Sequence, residues 1–435
     1  MRVAVIGAGW AGMAAAVQAT RDGHTVTVFE AARTLGGRAR ALAATLPDGR
    51  EVTLDNGQHI LIGAYTDCLQ LMREVGVDPA AALERGPLTL QFPDGHGLRL
   101  PDSPWLPAPL DALVGIARAR GWPLAARLGL LRTALRWQRA GFQCAAEVSV
   151  AQLCRELAPP VMQRLIEPLC VSALNTPAER ASAQVFLRVL QDALFGVAGG
   201  SHLLLPRTDL TALFPGAAAH WLQQHGGELR TGARITQLQP QGAQWQVDGQ
   251  PFDAVLLATS ASDAAKLLAE STSIAPGSIA DKLSVWCATA EALQFEAIAT
   301  VYAWDADARL PAPMLALHGA PGAPAQFVFD RGQLDGPAGL LAFVVSASTL
   351  PRDELQAQVL CQAQTQLGLS LQPVQTVVEK RATFACTPGL QRPPQAIAPG
   401  LLGCGDYVAG PYPATLEGAV RSGLQAVAQL PQAGH

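Results

Sequence analysis

The opening residues constrain the fold most. Val3-Ala4-Val5-Ile6 is a short apolar run, and Gly7-Ala8-Gly9-Trp10-Ala11-Gly12 follows it at once. An alanine-rich stretch of helical character comes next, then Val26-Thr27-Val28-Phe29-Glu30. A buried strand, a G-x-G-x-x-G turn, a helix and a second strand ending in an acid together describe a dinucleotide-binding βαβ unit. Gly7 permits the tight turn, Gly9 lets the backbone approach a pyrophosphate, and Gly12 lets helix pack on strand. The free N–H groups and positive end of the helix then face the phosphates. Glu30 can accept both hydroxyls of an unphosphorylated ribose, which selects FAD or NAD over NADP. A signal peptide is the competing reading, since one Arg precedes an apolar stretch. It fails because glycines interrupt that stretch, Arg21-Asp22 follows too early, and no small-residue cleavage site is in place.

A chain of 435 residues can bury a large core and is expected to form two domains. Its hydrophobic content of 49% is high, yet no eighteen consecutive apolar residues occur, so no spanning helix is expected. The formal charge of −4 argues against nucleic acid as a partner. Eight cysteines without a C-x-x-C pair read as reduced thiols of a cytoplasmic protein. His59, His202 and His220 lack metal-ligand spacing, and no metal is expected.

Further along, Gly36-Gly37-Arg38 offers a turn with a cation for charge-assisted bonds near a pyrophosphate. Val52-Thr53-Leu54 leads into Asp55-Asn56-Gly57-Gln58-His59-Ile60, a strand turning sharply at Gly57, and 65–75 reads as a helix. Between 101 and 142 the composition changes. Two helical runs carry Leu110, Leu113, Leu124, Leu128, Leu131 and Leu135, with Trp105, Trp122 and Trp137, many arginines, and no acid between Asp111 and Glu147. That is the composition of an interfacial membrane-docking element. Residues 148–200 read as helical with breaks at Pro159-Pro160 and Pro168. Glu228–Leu238 reads as strand, turn, strand, and Asp253–Thr259 as a buried strand returning to the first sheet. A last strand delivers Gly405-Asp406, and a closing helix begins near Thr415-Leu416.

The motifs at 7–12, 36–38 and 55–59, with the C-terminal G-D…T-L-E-G-A-V-R-S-G, resemble the FAD-dependent amine oxidase and phytoene desaturase superfamily. D-N-G-Q-H-I-L-I-G-A-Y (55–65), E-P-L-C-V-S-A-L-N-T (167–176), L-L-L-P-R-T-D-L (203–210) and A-T-F-A-C-T-P-G (382–389) are similar to squalene-associated desaturases. The resemblance implies FAD as cofactor. It places Gly7, Ala8, Gly9, Trp10, Ala11 and Gly12 around the pyrophosphate, Glu30 and Ala31 at the adenosine ribose, and Gly37 and Arg38 at the phosphates. Gly57, Gln58 and His59 would lie near the isoalloxazine, and the Ile235 backbone at the adenine. Gly405 and Asp406 would meet the ribitol, and Thr415 and Leu416 the pyrimidine carbonyl. His59 is also the candidate proton donor.

The implied fold is α/β: a Rossmann-like FAD-binding domain (1–75, 200–265 and 390–435) interleaved with a mixed α+β substrate domain (76–199 and 266–389), with 101–142 as the docking helices. The implied reaction is reductive removal of an allylic hydroxyl from hydroxysqualene, giving squalene, with an isoprenoid lipid as substrate and an external electron donor that the residues do not identify. The expected location is cytoplasmic, peripheral to the inner membrane. A carotenoid or phytoene desaturase is the alternative. An amine oxidase is more remote, since the strand-like 295–304 carries no lysine. A non-catalytic prenyl-lipid-binding protein is remote too, since Glu30, Arg38 and Asp406 are all present.

Overall fold

The computed structural model describes residues 1–102, 105–106, 109–196, 198–273 and 275–431. Its central layer is a six-stranded sheet. From one edge to the other, the strands are Glu228–Thr231, β2 (Thr25–Glu30), β1 (Arg2–Ile6), Ala254–Leu257, Leu401–Gly403 and Ala396–Ala398. All pairs are parallel except the last. Parallel strands are covered on both faces, so they read as continuous apolar runs. Val3, Ala4, Val5 and Val28 are accordingly sealed from solvent, as are Val255, Leu256 and Leu257.

Helix α1 (Trp10–Arg21) follows β1, and nine of its twelve residues are buried. It packs so closely on the closing helix Leu416–Ala428 that a Cβ on Gly423 would lie 2.4 Å from the Ala11 carbonyl oxygen. Two early glycines explain the sharp entry into α1. Gly7 has φ +110°, and a Cβ there would meet the Ala258 carbonyl at 2.5 Å; a Cβ on Gly12 would sit 1.9 Å from the Gly7 oxygen.

A second, antiparallel sheet orders Met314–Ala316, Phe327–Asp330, Leu340–Ser346, Phe295–Trp304 and Gln372–Phe384. One face packs on the helix Arg352–Leu367 through Val301, Phe343, Leu355 and Val359. Tyr302 Oη donates to the Asp55 carbonyl oxygen at 3.0 Å and so ties this sheet to the strand Glu51–Asp55.

Three expectations are revised. Pro168 does not break its helix. Residues 159–174 run on continuously, and a π turn at Met162–Ile166 falls where the proline could not supply an ordinary i→i−4 bond. The strand expected through Ile235 starts at Leu238 instead. The Asp248 carboxylate takes the Thr236 and Gln237 N–H groups at 3.1 and 2.8 Å, which removes them from any strand ladder. Finally, Trp122 and Trp137 belong to the core, not to an outer face.

The rest of the 101–142 face does point outward. Helix Leu124–Arg139 buries Ala126, Leu130, Thr133 and Trp137, leaving Leu124, Leu128 and Leu135 exposed. Of the seven exposed large apolar side chains among the described residues, six lie between Trp105 and Leu135. Among the described residues no helix is long and apolar enough to cross a membrane.

Candidate functional site

A cavity of about 700 Å³ runs from the β1–α1 turn to the second sheet. Gly7, Gly9, Trp10 and Ala11 line it, with Glu30, Ala31, Gly37 and Arg38. Gly57, Gln58, His59, Ile235, Gly405, Asp406, Thr415 and Leu416 complete the set that chain order had scattered. Ala8 and Gly12 are not on the wall. The Ala8 amide is already used, donating to Glu30 Oε2 at 2.7 Å, and Gly12 serves helix packing.

The residues fit a dinucleotide. The α1 N-terminus has no side-chain cap, so its first N–H groups and dipole face the cavity. A Cβ on Gly9 would meet no protein atom closer than 4.0 Å and would protrude into the cavity, where a phosphate needs close approach. Glu30 is fixed in advance: its second oxygen accepts the Ala32 N–H at 2.8 Å, and each oxygen keeps a lone pair for a ribose hydroxyl. Trp10 contributes its backbone here. Its indole packs on Phe214, centroids 5.2 Å apart, and donates to the Ala39 carbonyl.

Arg38 and Asp406, expected at different parts of the cofactor, are ion-paired with each other. Arg38 also donates to the Ala382 carbonyl. Burial opposes the guanidinium charge, but Asp406, through charge and hydrogen bond, with Glu379 beyond, keeps its pKa raised. The cation is thus a fixed brace between the Gly36–Gly37 turn and the C-terminal loop.

Gln58 is held by its backbone N–H, which donates to Thr300 Oγ1 at 3.3 Å, and by Arg331, which donates to its side-chain oxygen. His59 Nδ1 lies 2.9 Å from the Gly57 carbonyl oxygen, which can only accept, so Nδ1 carries the proton. Burial, with Arg38 nearby, lowers the His59 pKa despite that bond. The ring is neutral and its Nε2 accepts, a poor arrangement for the proton donor that sequence reasoning had suggested. Thr415 Oγ1 accepts the Gly418 N–H at 2.9 Å and caps the closing helix, leaving Leu416 at its first position on the wall.

Several wall residues were missed. Arg40 stands at the Gly36–Gly37 turn, Arg234 next to Ile235, Asp263 and Lys266 on helix Ala261–Thr272, Asn56 next to Gly57, and Tyr65 beside Thr415. The far end is apolar, with Val171, Ala173, Ile298, Phe327, Phe329 and Val344, interrupted by Asn175, Ser346 and Thr383. Asn175 and Thr383 fall inside the quoted motifs, but nothing local in the sequence shows that they meet. Among the described residues no group of His, Cys, Asp or Glu could hold a metal ion, and all eight cysteines are free thiols.

The profile of the flavin containing amine oxidoreductases matches residues 10–431. The chain belongs to this family. Its cofactor is therefore FAD, consistent with the prepared ribose and pyrophosphate positions. A hydroxysqualene dehydroxylase of Rhodopseudomonas palustris is 28% identical over 99% of both chains. A 15-cis-phytoene desaturase of Synechococcus elongatus is 33% identical, but over only 27% of this chain and 24% of its own. An oxidoreductase of Methanosarcina mazei shares the fold at a TM-score of 0.73, with 15% identity, over 99% of this chain and 100% of its own.

Proposed function

We propose that this family member removes the hydroxyl of hydroxysqualene reductively, giving squalene. The observation that carries the reading is a similarity to hydroxysqualene dehydroxylase along the whole chain, whereas the desaturase similarity stops at about a quarter of it. The cavity supports it: the polar cofactor end continues into a wall of Val171, Ile298, Phe327, Phe329 and Val344 suited to a prenyl chain. FAD, bound in its reduced form, supplies the hydride equivalent. The protein's share is to hold the allylic carbon in place, to exclude water with that apolar wall, and to stabilise the departing hydroxyl, which leaves with a proton as water.

We also propose that the outward leucines of 110–135 dock the enzyme peripherally on the cytoplasmic face of the inner membrane, where such a substrate dissolves. FAD-binding roles for the wall residues, and the division into the two interleaved domains, are part of the same proposal.

Anaerobic incubation of the photoreduced enzyme with hydroxysqualene tests the reaction. Squalene and reoxidised flavin are expected together. No squalene from hydroxysqualene, with dehydrogenated product from phytoene and oxidised enzyme, would decide for a desaturase instead.

A further inference from the structure

The apolar end of the cavity carries a polar notch built around one side chain. Asn175 is 4% exposed and sits in left-handed backbone, φ +45°, as the C-cap of helix Glu167–Leu174. Asparagine tolerates that conformation better than other residues with a side chain. Its amide spans three strands of the second sheet. Oδ1 accepts the Ala347 N–H at 2.8 Å, just past strand Leu340–Ser346. Nδ2 donates to Thr383 Oγ1 at 2.9 Å, at the end of strand Gln372–Phe384, and more weakly to the Glu296 carbonyl on the strand between them.

The consequence lies in the threonine. A hydroxyl has one proton to give and two lone pairs to receive. Asn175 occupies a lone pair, which leaves the Thr383 proton to point elsewhere. Among the described residues it donates no hydrogen bond, and Thr383 lines the cavity. Its neighbour Ala382 carries the carbonyl bonded by Arg38, so Thr383 stands where the cofactor end meets the apolar end. A hydrocarbon has no use for a donor there. A hydroxylated lipid does.

We propose that the Thr383 hydroxyl donates a hydrogen bond to the substrate's hydroxyl oxygen and sets specificity for a hydroxylated prenyl chain over the hydrocarbon, with Asn175 positioning it. This rests on the substrate reading above. A site built to hydrogen-bond a hydroxyl discriminates strongly against the analogue lacking it, because its own polar group is then left unpaired.

The test is equilibrium binding to the FAD-loaded enzyme, followed through perturbation of the flavin absorbance, with hydroxysqualene and squalene as paired probes. Wild type is expected to prefer hydroxysqualene. Thr383→Val should weaken hydroxysqualene about tenfold and leave squalene bound at least as well as in wild type, while Thr383→Ser should recover most of the preference. Asn175→Asp keeps an acceptor for Ala347 but removes the donor. The Thr383 proton then turns toward the new carboxylate, and the preference should fall although the threonine remains. A preference that survives Thr383→Val overturns this inference alone. A wild type that binds squalene as well as hydroxysqualene also overturns it, while the substrate reading falls separately, if the photoreduced enzyme forms no squalene from hydroxysqualene.

Discussion

Asp55 ends the strand Glu51–Asp55, next to the Gly57 turn, with 4% of its surface exposed. Its carboxylate accepts the Leu210 N–H at 2.8 Å, with the Arg331 charge in range, yet burial outweighs both and pushes its pKa up to about 6. Such a group binds more protons folded than unfolded between its ordinary value of 3.8 and about 6. Stability is therefore fullest below that window and falls as pH rises through it, by about 3 kcal/mol in all. Asp55→Asn keeps an acceptor for Leu210 and has no proton to lose. Its thermal midpoint should lie above wild type at pH 7.5, and the two curves should converge near pH 4. Parallel curves across that range would show that Asp55 is not the titrating group.

At the level of elements, the C-terminal helix does more than close the cavity. Glu417, in its first turn, is wholly buried. Its two oxygens accept the Asp67 and Cys68 N–H groups at 3.1 and 3.0 Å. These are the open donors at the start of helix α2 (Thr66–Glu74), whose own N-cap, Tyr65, does not cap them with its side chain. Arg421 Nε completes the set at 2.8 Å. The capping residue thus comes from a distant part of the chain. Glu417→Ala would leave the Asp67 and Cys68 N–H groups without an acceptor, while Arg421 keeps the Asp67 carboxylate at 2.9 Å, and should cost about 2–6 kcal/mol. Glu417→Gln keeps one acceptor oxygen but sets an NH2 against the other N–H, and should cost about 1.5–3 kcal/mol. Urea unfolding of both variants measures this, and equal, sub-kcal losses would refute the cap. The T-L-E-G motif was legible as a helix start because Thr415 caps it locally. The role of Glu417 was not, since capping normally joins residues three apart. The same contrast runs through the fold. The βαβ unit and the strand Phe295–Trp304 follow from local pattern. The Asp248 clasp on residues 236–237 and the Arg38–Asp406 pair follow only from the tertiary fold.

For the whole molecule, residues near both ends of the chain complete one cavity, and the apolar surface left outside is concentrated in one place. Leu110 and Leu113 on helix Leu110–Arg118, and Leu124, Leu128 and Leu135 on the next helix, face outward while their partners fill the core. The charge around them is less one-sided than composition suggested. Arg127 is bonded to the Trp122 and Ala117 carbonyls and Arg136 to Glu156. Arg118, Arg120, Arg132 and Arg139 have no ion-pair partner among the described residues and remain available to an anionic surface. A helix pair of this kind binds membranes through buried apolar area plus attraction to anionic lipid. The enzyme should therefore sediment with phosphatidylglycerol-containing vesicles, less so in about 0.5 M salt, where screening reaches only about 4 Å. Leu113→Asp combined with Leu128→Asp should lower the bound fraction at least about tenfold, because each change removes apolar contact and adds repulsion. Flavin content and thermal midpoint should hold, since both side chains already face solvent. Val285→Asp, a still more exposed apolar site on helix Gly277–Glu291, is the control and should bind vesicles like wild type. If all three proteins sediment alike, the leucine face does not dock, and the lipid must reach the cavity by another route.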